Sequence, residues 1–483
     1  MKEKKRRKIR LSIPGIILGI LLLIMNITLI VFLKLFDIIP DNYYYLIVVV
    51  LFIISIIINF FLIFKFKNKA LKVFKIIFMI ISTILIVAYS FGTYYLNKTM
   101  NLFDNISVIK EEITKYYIVV LDTSIYQEPS DLYEKSLAYY ENTDSEVINS
   151  LKLSLKYEVV KDMTKLKEKL YNHEVESILI SDIIKNKYEE DDETFTNNIR
   201  ILKTIEIKKS IEDITKKVSI KNTPFNILIS GIDTYGKVTS VSRSDVNILV
   251  TVNPKTNKIY MVHVPRDYYV TLAGKNAKDK LTHSGIYGID CSVKTLENLF
   301  DTEINYYVRL NFTSLINVVN AIGGVDVVSK YSFDTGIYDE HMTETYHFNK
   351  GKNHLNGSQA LSFVRERHAF NDGDRVRGEN QMLVLSAIIN KVISPSILNN
   401  YTKLLNSLSN AFVTNLTEEE LTKLVRKQLD NNKSWSIEQT ELNGTAAYQY
   451  TFSYPRQKLY TMVPDEELIK NAKEKIDEVI NEK

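Results

Sequence analysis

The chain has 483 residues, with 61 lysines and arginines against 57 aspartates and glutamates and a single cysteine, Cys291. That length allows two or three domains with cores of their own, and one cysteine excludes an intramolecular disulfide and a cysteine-based zinc site. The charge is unevenly spread: residues 1–75 hold thirteen basic and three acidic residues, leaving 48 basic and 54 acidic in the rest, a mildly acidic remainder unsuited to non-specific nucleic-acid binding.

Three apolar runs come first, at 11–33, 43–64 and 76–96. Each approaches or exceeds the roughly 20 residues a helix needs to cross a bilayer. The first is too long for a signal-peptide core, and no small-residue cleavage site follows it. The flanks "KEKKRRKIR" (2–10) and "KFKNKALKVFK" (65–75) are basic, whereas "KLFDIIPDN" (34–42) is not. Basic loops stay in the cytoplasm, so the expected path is N-terminus inside, first loop outside, second loop inside, and everything after about residue 97 outside. Residues 1–97 are read as a basic tail with three transmembrane helices.

Residues 98–221 read as a small extracellular α/β accessory domain. Strands are expected at 116–124, 175–183 and 200–210, with a charged helix within 159–174. His173 and the acidic run 189–193 read as solvated surface. The segment "KNTPFN" (221–226) marks a boundary.

From 222 to 483 strands and helices alternate, which argues α/β with a central mixed sheet. "NILISG" (226–231) is a short buried strand. "SDVNILVTVNPKTNKIYMVHVPRD" (244–267) is a β-hairpin turning at "NPKTN". Helices are expected at 292–300, 313–324 and 377–393, and strands at 304–312 and 325–329. Residues 357–368 begin helical and become extended.

The hairpin has chemical consequences. A turn centred near 255–256 places Asp245 opposite Arg266 and Asp267, so that Arg243, Asp245, Arg266 and Asp267 crowd its open end. Asp233 lies just past the first strand, where α/β sheets favour ligand sites. Two aspartates with water and phosphate oxygens suit Mg²⁺ or Mn²⁺; on spacing alone the reading as turn and capping residues is the favoured one. Arg365 and Arg367, two apart in an extended segment, would share a face opposite Glu366. Adjacent guanidiniums call for an anion between them, and phosphate fits; salt bridges to Asp372, Asp374 or Glu379 are the other reading.

The blocks "NILISGIDTYG", "SRSDVNILVTVNP", "VHVPRDYYV", "KLTHSGIYG", "INYYVRLNF", "IGGVDV", "LNGSQALSFVRERH" and "GDRVRGENQ" follow one another over roughly 222–395. In that order, behind an N-terminal anchor, they resemble the catalytic domain of the LytR–CpsA–Psr family. Three spans, an accessory domain and the C-terminal extension at 437–477 resemble its capsule-type members. The resemblance implies a transferase outside a Gram-positive membrane. It would take a glycopolymer, here capsular polysaccharide, from undecaprenyl pyrophosphate and join it to peptidoglycan by a phosphodiester.

Carried over by motif, Asp233 and Asp245 would hold Mg²⁺. Arg243, Arg266, Arg365, Arg367, Arg377 and Gln381 would bind the pyrophosphate, with Arg365 and Arg367 also catalytic. The family's fold implies an apolar tunnel for the lipid. The block "GDRVRGENQ" departs from the family pattern, leaving Arg375 and Arg377 as alternatives; Arg377 is favoured because it lies one helical turn before Gln381. Asp374, or else Asp267, would accept the proton of the attacking hydroxyl. His263, His283 and His368 read as structural, or as supports for the residues that touch substrate. Membrane lipid and capsule-assembly proteins are the further expected partners, and nucleic acid is not one. A polyprenyl pyrophosphate hydrolase and a non-enzymatic regulator or scaffold are the competing readings.

Overall fold

The computed structural model describes residues 11–36, 39, 41–106, 111–192, 194–211, 213–235, 238–337, 344–394, 412–417, a few positions between 419 and 427, and 434–482. The basic tail at 2–10 lies outside them. The chain divides into two compact units, Met1–Asn105 with Thr417–Ser434 and Ile106–Leu416 with Trp435–Lys483.

In the first unit the apolar runs form α1 (Ile13–Phe36), α2 (Asp41–Ile63) and α3 (Lys69–Ile106), all long and apolar enough to cross a membrane. Helices α1 and α2 approach closely because Gly15 and Gly19 face the partner; a Cβ at Gly15 would lie 1.9 Å from the Leu62 carbonyl oxygen. Small residues at such contacts are what lipid-embedded helices use in place of a hydrophobic driving force. Asn26 donates to Ser55 Oγ at 2.6 Å and to the Leu51 carbonyl at 3.1 Å, so its amide nitrogen is satisfied between the helices.

The second unit opens with β1 (Glu111–Leu121), β2 (Ser136–Tyr140), α4 (Ser145–Ser150), β3 (Lys156–Val160), α5 (Met163–Tyr171), β4 (Ser177–Ser181), α6 (Asp182–Asp191) and β5 (Ile199–Ser210). Its five strands form one sheet in the order β3-β2-β4-β1-β5. Successive residues of β1 and β4 point to opposite faces, and both faces are buried: Val119, Ile178 and Ile180 on one, Ile118, Val120 and Leu179 on the other. The three expected strands and the helix are present; β2 and β3 have no counterpart in the sequence reading.

The chain continues through β6 (Phe225–Ile232), β7 (Ser244–Asn253), β8 (Lys258–His263), β9 (Tyr269–Leu272), β10 (Ala277–Lys280), α7 (Ile289–Phe300), β11 (Tyr306–Leu310), α8 (Phe312–Ala321), β12 (Val325–Ser329), β13 (Phe333–Asp334), β14 (His347–Phe348), β15 (Gly351–Leu355), α9 (Gly357–Arg365) and α10 (Gly373–Val392). It ends with β16 (Phe412–Thr414), β17 (Ser436–Glu441), β18 (Gly444–Tyr450), β19 (Lys458–Pro464) and α11 (Glu466–Asn481). The central sheet is mixed, in the order β16-β11-β6-β7-β8-β17. Leu228, Leu249, Tyr260 and Val262 from this sheet pack with Leu296 of α7 and Ile476 of α11 in one core. Val319, Phe363 and Val384, from α8, α9 and α10, share another.

The two sheets are joined by main chain and by a buried ion pair. Ile113 donates to the Thr239 carbonyl at 2.9 Å and accepts from Val241 N–H at 3.0 Å. Arg309, buried on β11, pairs with Glu112 of β1. The same carboxylate accepts from Ile289 N–H at 3.2 Å, at the start of α7.

Candidate active site

The hairpin register is the one expected: Asn253 faces Lys258 and Ile248 faces His263. Continued outward it brings Arg266 to Asp245, and Arg266 Nη1 lies 2.9 Å from Asp245 Oδ2. The β6–β7 pairing slips at this end, with Gly231 opposite Val246 and Ile232 opposite Ser244. Asp245 is the extra residue of that bulge, and bulges re-aim side chains beside ligand sites. A buried network holds the bulge: Ser230 Oγ and Ser244 Oγ are 2.8 Å apart, and Ser244 Oγ donates to Asn247 Oδ1 at 2.7 Å. Thr282 Oγ1 donates to Asp245 Oδ1 at 2.8 Å.

Across the cleft the expected extended pair takes another form. Helix α9 runs to Arg365 itself, and Glu366 is its C-terminal cap. Arg365 and Arg367 therefore do not share a strand face. They flank Glu366, which is 1% exposed and accepts the Gly336 and Ala369 N–H groups at 2.6 and 2.9 Å. This anchor turns both arginines into the same cleft. The Arg365 guanidinium carbon lies 4.1 Å from the Phe312 ring centroid, a cation–π contact, and its Nη2 is 3.9 Å from Asp233 Oδ1. Helix α10 starts at Gly373, four residues before the expected Arg377. Arg377 and Gln381 lie one turn apart and both line the cleft. Arg375 instead pairs with Asp372 at 2.7 Å and with Glu379, outside the cleft lining.

The cleft encloses about 210 Å³. Its lining is partly apolar, from Leu310, Phe312, Leu315, Leu361 and Val364, and partly charged, from Asp233, Asp245, Arg266, Arg365, Arg367 and Arg377. His368, expected to be structural or to support the site residues, also lines it, and its Nε2 accepts from Arg367 Nε at 3.3 Å. Two expected residues lie elsewhere. Arg243 lines an adjoining cavity of about 170 Å³ with Lys187 and Lys280. Asp374 lines a third of about 230 Å³ with Asp267, and is held by Arg377 Nη2 at 2.9 Å. Asp267 is paired with Lys280 and with Arg266 Nε at 3.6 Å. His283 is buried against Asp279, Nδ1 to Oδ1 2.6 Å, and His263 is buried near Glu441.

The two aspartates are electrostatically split. Burial disfavours the Asp245 carboxylate, but Arg266, Arg243, Arg377 and the Thr282 hydrogen bond outweigh it and hold the group well below the usual carboxylate range. Asp233 is raised, by burial first and then by the negative charge of Asp245. Burial, followed by the charge of Arg266, holds Arg377 below its ordinary value. A cation between the aspartates would relieve the repulsion that raises Asp233. Among the described residues no group of three or more metal-ligating side chains occurs, so a cation here would complete its shell with water and substrate oxygens, as Mg²⁺ commonly does.

Tyr235, Phe312 and Thr282 are the site residues that sequence reasoning passed over. Tyr235 packs edge-on against Phe312 at 5.1 Å beneath Arg365. Both aromatics stand inside blocks already singled out, "GIDTYG" and "INYYVRLNF", and their position there was the available signal.

The LytR_cpsA_psr family model matches residues 194–475. The chain belongs to this family. A Bacillus cereus protein named polyisoprenyl-teichoic acid–peptidoglycan teichoic acid transferase TagU is 37% identical over 209 residues, 43% of this chain and 66% of that protein. The Enterococcus faecalis protein of the same name is 35% identical over 245 residues, 50% of this chain and 77% of its own. The crystal structure of Bacillus subtilis TagV matches with 30% identity, covering 54% of this chain and 98% of that one, at a TM-score of 0.46.

Proposed function

We propose that this chain is a membrane-anchored transferase that moves a glycopolymer from a polyprenyl pyrophosphate carrier onto a hydroxyl of peptidoglycan, forming a phosphodiester. One observation carries the reading: a single cleft combines an apolar lining with four arginines. Its complement is an amphiphilic anion, and a lipid pyrophosphate is one. The names of the relatives support the same class of donor and acceptor. The basic flanks support a cytoplasmic N-terminus and an extracellular site. Capsular polysaccharide remains the proposed polymer on architecture, whereas the named relatives are teichoic acid transferases; competition between the two lipid-linked polymers distinguishes them.

In this reading Arg266, Arg365, Arg367 and Arg377, with Gln381, grip the pyrophosphate, and Arg243 adds charge from the adjoining cavity. Asp233 and Asp245 would hold Mg²⁺ or Mn²⁺, which when bound supplies positive charge to phosphate oxygens. The acceptor hydroxyl attacks the phosphorus that bears the polymer. The bond to the bridging oxygen breaks, polyprenyl phosphate leaves, and the hydroxyl proton passes to a carboxylate, Asp374 or Asp267. The arginines are already oriented, so the charge that develops on the phosphate oxygens meets donors that need no reorganisation.

The test is ligation by the Arg365→Ala/Arg367→Ala double variant, with labelled lipid-linked donor and peptidoglycan. Loss of wall adduct with an unchanged unfolding midpoint is expected. Unimpaired ligation refutes the assignment. Equal phosphate release with and without peptidoglycan, and no adduct, would mark a hydrolase instead.

A further inference from the structure

A larger cavity than the candidate active site lies elsewhere in the second unit. A cleft of about 840 Å³ lies where the β1–β5 sheet meets the 286–288 turn and the 452–455 segment. It is in the upper part of the roughly 300–1,000 Å³ range of small-molecule sites, and it sits at a junction between layers, a preferred place for them. Tyr116, Tyr140, Tyr287, Phe452 and Tyr454 line it. Tyr287 and Phe452 stand 5.9 Å apart at an interplanar angle of 53°.

Glu141, Asn142, Thr143, Asp144 and Ser453 line it too. The charges largely pair off: Asp144 with Lys209 at 2.5 Å, Glu112 with Arg309, and Lys275 over the Tyr287 ring at 4.3 Å. The cleft thus lacks the arginine cluster that grips a phosphate; beside the rings it is lined by Met163, Ile183, Ile184, Val241 and Ile286. Aromatic faces together with amide, carboxylate and hydroxyl groups complement a ligand with flat C–H faces and hydroxyl edges, which is a saccharide.

Its position says which saccharide. Tyr454 lines both this cleft and the cation-bearing cavity of Lys187, Arg243 and Lys280. Arg266 lines that cavity and the active cleft. The three form a row that starts at the active cleft and ends among the aromatics. Lys187, from α6, reaches over the Tyr454 ring at 5.6 Å where the row passes from one cavity to the next.

We propose that this cleft binds the sugars of the donor glycopolymer nearest its pyrophosphate, so that β1–β5 and the catalytic sheet together hold the polymer. The proposal rests on the transferase reading above. Its test measures binding to the detergent-solubilised full chain of three probes: sugar-free undecaprenyl pyrophosphate, the lipid-linked polymer extracted from the organism's own membranes, and soluble peptidoglycan glycan strands. The variants are Phe452→Ser, at an exposed ring, and Thr143→Trp, which fills the cleft. Either variant that retains the wild-type circular dichroism and unfolding midpoint suffices.

Sugar-free carrier should bind as in wild type, while affinity for the extracted polymer falls about tenfold or more, as when an interface anchor is lost. Unchanged affinity for the polymer overturns the proposal. So does a loss confined to soluble peptidoglycan glycan strands, which would assign the cleft to the acceptor. If wild type binds neither carrier, the transferase reading itself has failed.

Discussion

Removing the Glu112 carboxylate isolates a buried charge. The Arg309 side chain is 1% exposed and that of Glu112 is 12% exposed, and among the described residues Glu112 is the only acid paired with it. Truncating one partner of such a pair costs about 3–5 kcal/mol, because the remaining ion stays desolvated without its counter-charge. Glu112→Ala also removes the carboxylate at the start of α7. Since domains are stable by only about 5–15 kcal/mol, about a fifth or more of the total is at stake. Urea unfolding read through Trp435, the single tryptophan, measures the loss. A Glu112→Met/Arg309→Met double variant should recover most of it, because replacing both ions with apolar side chains is close to neutral. A loss below about 1 kcal/mol in Glu112→Ala, or a double variant no better than the single, would refute the reasoning.

The arginines of α10 should separate. Arg377→Ala is expected to weaken polyprenyl pyrophosphate binding about tenfold or more, while Arg375→Ala, which loses only partly exposed surface pairs, should leave it within about threefold and change stability by about 1 kcal/mol or less; titration calorimetry distinguishes them. Gly378→Ala would place a Cβ 2.5 Å from both Glu441 Oε1 and His263 Cε1. It should cost about 1–3 kcal/mol and impair binding by displacing Arg377 and Gln381, with thermal unfolding and ligand binding as the two readouts. Glu441 is raised from 4.5 to about 8, chiefly by burial and next by Glu379, against the opposing charges of Arg375 and Lys330. The native state therefore holds a proton the unfolded chain releases, and stability falls as pH rises from about 4.5 to 8. The fall amounts to about 3 kcal/mol by pH 7. Unfolding of Glu441→Gln across that window should lack this component, and a slope equal to wild type would exclude it.

What could be read in the sequence was whatever depends on local periodicity. The turn residues at 253–257 defined the hairpin, and the hairpin brought Asp245 to Arg266. The four-residue spacing of Arg377 and Gln381 put both on one helix face. Features that depend on distant contacts were not legible. The bulge at Asp245 arises from a register slip against β6, and no local pattern announces it. Arg365 and Arg367 converge because Glu366 is bonded by Gly336 and Ala369, not because the segment is extended. The apolar lining draws on residues 310–315 and 361–364, some fifty residues apart in sequence. Strands β2 and β3 are five residues long and sit between charged turns. Arg243 belongs to a motif with Asp245, yet its side chain lines the neighbouring cavity.

Arg266 stands where three cavities meet: the apolar cleft, the cavity of Lys187 and Arg243, and the cavity of Asp267 and Asp374. In terms of inhibition it is a single blocking point. On the proposed function, a compact dianion seated on it would block the carrier's cleft and reach into both neighbouring cavities at once. Escape by mutation would be constrained too. A change at 266 that expelled the inhibitor would also strip Asp245 of its 2.9 Å partner and leave a buried carboxylate exposed to the cost of its own desolvation.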